Sequence, residues 1–551
     1  MIYKESNFYL SIIIGLIFFT YIVGMDIVNF SNIFWLIDCP IICDAQQHLL
    51  GWLFFRETDI LQFPFLKNTS FGLYTGSSLI YTDSLPIFAI IFKFFNSFLD
   101  FEFQYFGLWI LISFSLQAII ADRILKIYID NNKFRLISIA FFCISPIFLN
   151  KLFFSHLALA SQWIILLTLY VYLLKNFKLK YWLLLITLST LVHGYYVGFT
   201  SIVFLMAISK EYLENKDGKI ALKSALIYFI FLGILLYALG YFMIGGGFTN
   251  HGFGKFKMNL NALFDPVAEV TLRASQIFPE LETPSINEGF GDYEGFNFLG
   301  SGIILMLVII FPIIFYHYKE VLKSLRKPEN KIILIFFFLI TLYAVSNNIY
   351  LGNLELFSYD MPKFTKVITK TFRSSGRFFW INYYLIYIFI FVMIYRYTNK
   401  FKFPILVIFL LIQFIDMQPT FKQVRNVFYK DKNSYSKIYK ENIKLQDANW
   451  DLFAKKYKRI IYVVPTRFPK EYFPLAYFAA KNKIDTNFGY FSRVNKKSVK
   501  RNNLKLIEKI KENNIDTESL YVFFHEESWV MAKKNNPDTT IIIDGYKLLA
   551  P

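Results

Sequence analysis

The sequence predicts an α-helical polytopic membrane protein of about eleven transmembrane helices, followed by a small C-terminal extracytoplasmic α/β domain. Three observations predict it. Hydrophobic residues make up 55% of the 551-residue chain and gather in long blocks. Short basic segments separate those blocks. Past residue 418 the blocks stop, and strand-like and helix-like patches alternate.

The blocks come first in the argument. Backbone N–H and C=O groups find no water inside a bilayer, so apolar runs of this length cross it as helices. The period-two alternation of barrel strands is absent. Run length places spans at residues 8–24, 104–128, 136–149, 158–174, 181–192, 195–209, 222–244, 299–316, 331–346, 379–397 and 403–416. No small-residue cleavage site follows the first block, which predicts an uncleaved first span rather than a signal peptide.

The segments "RILKIYIDNNKFR" (123–135), "KNFKLK" (175–180), "KEYLENKDGK" (210–219), "KEVLKSLRKPENK" (319–331) and "RYTNKFK" (396–402) all fall on one side if odd-numbered spans run outward. The positive-inside rule makes that side the cytoplasm. The chain then sits in a bacterial cytoplasmic membrane with its N-terminus inside. Residues 25–103 form a long first outer loop of the membrane domain (1–417), and 418–551 are extracytoplasmic. Residues 85–99, "LPIFAIIFKFFNSFL", are apolar but short and carry Lys93; they predict a helix lying in the outer interface. The net charge of +18 collects in loops and tail, which points to membrane lipids as the partner and away from nucleic acid.

In the tail, "RIIYVVP" (459–465), "LYVFF" (520–524) and "TTIIID" (539–544) read as buried strands. "YFPLAYFAAKNK" (472–483) and "LKLIEKIKENN" (504–514) read as helices. That alternation predicts a small α/β domain.

Ionisable residues beside apolar spans are the candidate site. In "DCPIICDAQQHLLGW" (38–52), Asp44 and His48 share one helical face; the alternative role of Asp44 is a helix cap, boxed by Gln47. Asp38 is a rival base. Asp83 in "YTDSLP" is either a second acid or a helix-start carboxylate. Arg56 is an interface anchor or a phosphate partner. His156 and His193 lie at the predicted outer mouths of their spans. Arg373 and Arg377 in "TFRSSGRFFW" place positive charge against the inside rule, as two arms for a phosphate or as headgroup anchors. Asp292 and Glu294 in "DYEGFNFLG" meet sugar hydroxyls or serve as ordinary loop charges. The Gly-rich stretch 245–256 has no GK[ST] and is not a P-loop; it predicts a mobile loop. Three cysteines exclude a disulfide framework, and Cys39 and Cys43 are incidental.

This organisation resembles the GT-C superfamily of membrane glycosyltransferases. The acidic residue soon after the first span, the acidic-x-x-Pro element "YTDSLP", the His-x-x-Leu at a span start, and the phrases "GWLFFR", "FQYFGLW" and "FRSSGRFFWINYY" carry the resemblance. It implies transfer of a sugar from a polyprenyl-phosphate donor to a glycan, lipid or protein acceptor. Asp44 is the implied base, with Asp83 and His48 in catalysis. His156, His193, Arg373, Arg377, Glu294, Asp38 and Arg56 are the implied substrate-binding set. The first loop has Asp-x5-Asp rather than Asp-x-Asp, so no metal ligand is assigned and a divalent ion is the one cofactor left open. The competing readings are a flippase for lipid-linked glycans, a non-catalytic envelope-assembly protein and a membrane acyltransferase.

Overall fold

The structure, a computed structural model, describes residues 6–38, 44–74, 76–245, 252–268, 272–283, 291–465 and 471–551. Cys39, Cys43 and residues 246–251 of the Gly-rich stretch lie outside the described residues.

The chain is mostly helical. The elements used below are α1 (Ser6–Ile22), α2 (Asp44–Phe55), α3 (Pro86–Lys93), α4 (Phe106–Leu125), α5 (Asn132–Cys143), α6 (Pro146–Phe153), α7 (Trp163–Leu173), α8 (Leu179–Val192), α9 (Gly194–Asn215), α10 (Gly218–Leu239), α11 (Ser301–Tyr316), α12 (Pro328–Val345), α13 (Phe379–Tyr397) and α14 (Lys402–Asp416). Each predicted span overlaps a helix, but the block at 136–149 crosses the break between α5 and α6, and the block at 158–174 becomes helical only from Trp163. Among the described residues six helices are long and apolar enough to cross a membrane, and up to eight if each of two bent pairs is one span. Helices α1, α7 and α8 are apolar but shorter.

Proline shapes several of these elements. It opens α3, α6 and α12 in their first turns, where a missing N–H costs nothing. α3 is only eight residues long, too short to span, and Lys93 is not a surface charge: its ammonium donates to Thr58 Oγ1 (2.6 Å) and the Asp59 carbonyl (2.8 Å).

α1 packs along α4, and α4 against α5 and α7. Peripheral α10 and α12 leave large apolar side chains exposed, among them Ile230, Ile234 and Phe338, which is consistent with a helical membrane protein. Tyr128, Lys175, Lys210 and Glu329, from basic loops and helix ends, line one hollow. The start of α2 and the connectors before α3, α7, α9, α11 and α13 meet at another, described below.

The C-terminal part is a five-stranded mixed sheet with helices. Its elements are β1 (Arg459–Val463), α15 (Tyr472–Lys481), β2 (Asp485–Thr486), α16 (Lys496–Lys511), β3 (Ser519–Phe523), α17 (Glu526–Asn535), β4 (Thr540–Ile543) and β5 (Tyr546–Leu549), in sheet order β2-β1-β3-β5-β4. β1 runs parallel to β2 and β3, while β5 is antiparallel to β3 and β4. Strands β2 and β5 and helix α17 are additions to the elements read from sequence.

The first long loop extends this sheet. The Thr486 N–H donates to the Ser70 carbonyl (2.8 Å), and the Gly72 and Leu73 N–H groups donate to the Thr486 carbonyl (2.8 and 2.7 Å). Phe71 stacks on Phe54 of α2 (4.7 Å) and meets Phe491 (4.9 Å). An edge strand with open hydrogen-bonding groups is thereby covered, and the C-terminal part is tied to α2.

Candidate active site

The site is built around α2 and the Thr82–Ser84 turn. Asp83 (φ 51°) and Leu85 (φ 52°) both adopt left-handed backbone, a strained state for residues with side chains. Neighbours hold it there. Ser84 Oγ donates to the His48 carbonyl (2.8 Å), Tyr105 Oη to the Ser84 carbonyl (2.5 Å), and Gln47 Nε2 to the Tyr81 carbonyl (2.8 Å). Gln47 thus uses its amide N–H to tie α2 to the turn. Gly51 faces the same turn: a Cβ there would sit 2.1 Å from Thr82 Oγ1, so only glycine lets α2 approach this closely.

His48 is buried behind the site. Its Nδ1 lies 2.8 Å from the Thr82 carbonyl and its Nε2 3.2 Å from the Ser155 carbonyl. Burial pushes the imidazole pKa down, so the ring is neutral and its single proton belongs on Nδ1, at the shorter contact. Thr82 precedes Asp83, and Ser155, itself left-handed (φ 54°), precedes His156. His48 thus ties together the backbones that present two site residues. It lines the cavity, but both ring nitrogens face backbone carbonyls, which fits positioning better than the proton transfer of its catalytic assignment.

Two Asp–His pairs follow. His156 Nε2 stands 2.9 Å from Asp44 Oδ2. Burial alone would raise the Asp44 pKa, but His156 overrides it and holds the carboxyl below the usual range. His193 Nδ1 accepts the Tyr195 N–H (3.1 Å) and caps α9. Its proton is therefore on Nε2, 3.5 Å from Asp83 Oδ1. Burial and the nearby Arg377 charge keep this imidazole well below its ordinary pKa. Burial, reinforced by the Asp44 charge, pushes Asp83 up to about 7. With the imidazole neutral and the separation 3.5 Å, the two groups face each other across the cavity without a firm ion pair. One cavity holds a firmly ionised carboxylate and a second carboxyl that keeps its proton near neutrality.

A charged triad forms another wall. Glu294 accepts from Arg377 Nε (2.8 Å) and Nη2, and from Lys151 Nζ (3.0 Å). Gly295 and Gly376 make this possible, since a Cβ on Gly376 would come 2.5 Å from Gly295 Cα. Arg377 and Lys151 hold the Glu294 carboxyl well below its usual pKa despite its burial. Asp44, His48, Asp83, His156, His193, Glu294 and Arg377 line a cavity of about 480 Å³, together with Arg373, Tyr81, Tyr241, Tyr293 and the apolar Ile80, Val197, Leu236 and Phe372.

A family model described as a domain of unknown function (DUF6311) matches residues 12–418, and one described as the DUF6311 C-terminal domain matches residues 449–551. The chain belongs to the DUF6311 family. No curated protein and no solved structure matches it.

Both matched parts of this DUF6311 chain reach the cavity. Tyr490, Ser492 and Arg493, from the segment between β2 and α16, line it beside Asp44 and Asp83. Of the residues read from sequence, Asp44, His48, Asp83, His156, His193, Glu294, Arg373 and Arg377 come together here. Asp38 does not: it pairs with Lys430 at 3.0 Å. Arg56 is buried and donates to the Leu99, Asp100 and Phe101 carbonyls, so it clamps a loop and is neither an interface anchor nor a phosphate ligand. Arg377 is neutralised by Glu294, which leaves Arg373 as the cation of that pair available to a ligand. Asp292 pairs with Lys257 (2.6 Å). Among the described residues no group of three or more His, Cys, Asp or Glu is placed to hold a metal.

Lys151, Tyr490 and Arg493 were not singled out from sequence. Lys151 had a signal, a lysine at the edge of the apolar block "SPIFLNKLFF". Tyr490 and Arg493 had none, because only the docking of the sheet brings them to the cavity.

Proposed function

We propose that this protein is a GT-C-type membrane glycosyltransferase of about eleven spans in a bacterial cytoplasmic membrane. It moves a sugar from a polyprenyl-phosphate donor to a glycan, lipid or protein acceptor on the extracytoplasmic face. The observation that carries the reading is the pairing of the ionised Asp44 and the proton-holding Asp83 in a cavity that also presents the Arg373 cation. Carboxyls whose proton affinities are driven apart are the mark of divided acid and base roles.

Asp44 takes the proton of the acceptor hydroxyl as that oxygen bonds to the anomeric carbon. The bond from that carbon to the phosphate oxygen breaks, and its electron pair leaves with the polyprenyl phosphate. The negative Asp44 also stabilises the oxocarbenium-like charge on the sugar. His156 orients Asp44, Asp83 donates a hydrogen bond within the site, and Arg373 takes the phosphate. The apolar lining of Val197, Leu236 and Phe372 suits a donor whose tail stays in lipid. The basic loops gathered at a separate hollow support a cytoplasmic side away from the site.

The test is made in the native host. Glycolipids and surface glycans are compared by mass spectrometry in wild type, a deletion, and Asp44→Asn at matched protein level. The proposal expects both altered strains to lose the same sugar-sized mass. A glycan change in the deletion alone removes Asp44 as base.

A further inference from the structure

We infer that Arg493 and Arg373 form one anion subsite for a phosphate ester, so that the C-terminal domain completes the catalytic cavity rather than standing apart from it. This rests on the transferase reading and adds a second arm to its phosphate site.

The segment that carries Arg493 is fixed on both sides. The Ser492 N–H donates to the Tyr81 carbonyl (2.8 Å), beside the Asp83 turn, and Asn495 Nδ2 donates to the Ile244 carbonyl (2.8 Å), past the end of α10. Between them, Arg493 Nη2 donates to the Thr371 carbonyl at 2.9 Å. That bond sets its guanidinium against the 371–374 wall, two residues from Arg373. Arg373 lies over the Phe256 ring, with Cζ 5.5 Å from the centroid, and makes no ion pair among the described residues. Both side chains line the cavity.

The cavity is therefore polarised. Asp44 and Asp83 belong to α2 and its turn, Arg373 belongs to the 371–374 wall, and Arg493 reaches that wall through Thr371 from a segment tied to the turn at Tyr81. A sugar phosphate matches this division, with its sugar toward the acids and its phosphate toward the planar guanidinium forks. The apolar Leu236, Val197 and Phe372 in the same cavity favour an ester with a hydrocarbon chain over a free nucleotide.

The test uses the full chain in lipid nanodiscs. Binding of undecaprenyl phosphate and of inorganic pyrophosphate is measured for wild type, Arg373→Gln, Arg493→Gln, Arg493→Lys and Lys500→Gln. Thermal unfolding confirms that each variant is folded. Loss of a charge-assisted hydrogen bond predicts weakening of about tenfold or more for each glutamine variant, partial recovery with Arg493→Lys, and no change with Lys500→Gln, whose residue is outside the cavity. If Arg493→Gln binds undecaprenyl phosphate like wild type while Arg373→Gln does not, the shared subsite is wrong and the donor reading survives. If both arginines are needed for pyrophosphate but wild type ignores undecaprenyl phosphate, the subsite stands and the lipid-linked donor falls. If wild type binds neither probe, both fall.

Discussion

The Asp44 carboxylate and the His156 imidazole meet at 2.9 Å, and Asp44 is the first residue of α2. Asn at this position keeps the size and a hydrogen bond to His156 but cannot take a proton. Asp44→Asn is expected to stay folded and to lower transfer by about 10²–10⁴-fold, the span typical of a lost general base. Purified enzyme assayed with a radiolabelled lipid-linked sugar gives the rate. Activity within about tenfold of wild type would remove Asp44 from the chemistry.

Asp83 gives a pH signature. Its pKa is about 7 in the folded chain against an ordinary 3.8, so the native state binds the proton more tightly than the unfolded chain. The resulting stabilisation is full below about pH 4, declines as pH rises through 7, and is gone above it. Melting temperature in detergent, scanned from pH 4 to 8, is expected to fall in that window for wild type. The slope is expected to disappear in Asp83→Asn, which mimics the protonated form. The same variant is expected to keep more activity than Asp44→Asn.

His48 acts through others. His48→Phe preserves a ring beside Phe106 (6.1 Å) but deletes the contacts to the Thr82 and Ser155 carbonyls. Those carbonyls sit beside left-handed Asp83 and at left-handed Ser155, so the backbone loses one of the contacts that hold it. The expected result is a kcat decrease of about 10–100-fold with KM nearly unchanged, following misplacement of Asp83 and His156. A drop in KM affinity with unchanged kcat would point instead to direct substrate contact.

How much of this was legible in the sequence follows from range. The apolar helices were, because long apolar runs favour helix, though among the described residues only six to eight are long enough to cross where the sequence predicts about eleven. Asp44, Asp83, His156 and His193 were, because ionisable groups at the ends of such runs need a reason. Arg377 was visible as a charge but not as a neutralised one, since its partner Glu294 is 83 residues away. Asp38 and Arg56 misled for the same reason: Lys430 and the 99–101 carbonyls are tertiary partners. β2 and β5, with two and four residues, are too short to announce themselves by pattern. The strand-edge contact of Thr486 with residues 70–73 was beyond local reading altogether, and with it the place of Tyr490 and Arg493.

The Lys151–Glu294–Arg377 triad gives the sharpest stability contrast. All three side chains are nearly excluded from solvent. Glu294→Ala leaves two cations facing each other without a counter-charge, and breaking a buried pair from one side costs about 3–5 kcal/mol. Glu294→Ala is therefore expected to unfold far below wild type in a thermal melt, or to fail to accumulate. Replacing all three residues by methionine removes the charges together and is expected to recover much of that loss, since a packed apolar cluster avoids the desolvation cost. It is not expected to recover activity if the triad also sets the place of the wall that leads to Arg373. A triple variant as unstable as Glu294→Ala would mean that the triad's hydrogen-bond geometry, rather than charge balance, holds this part of the fold.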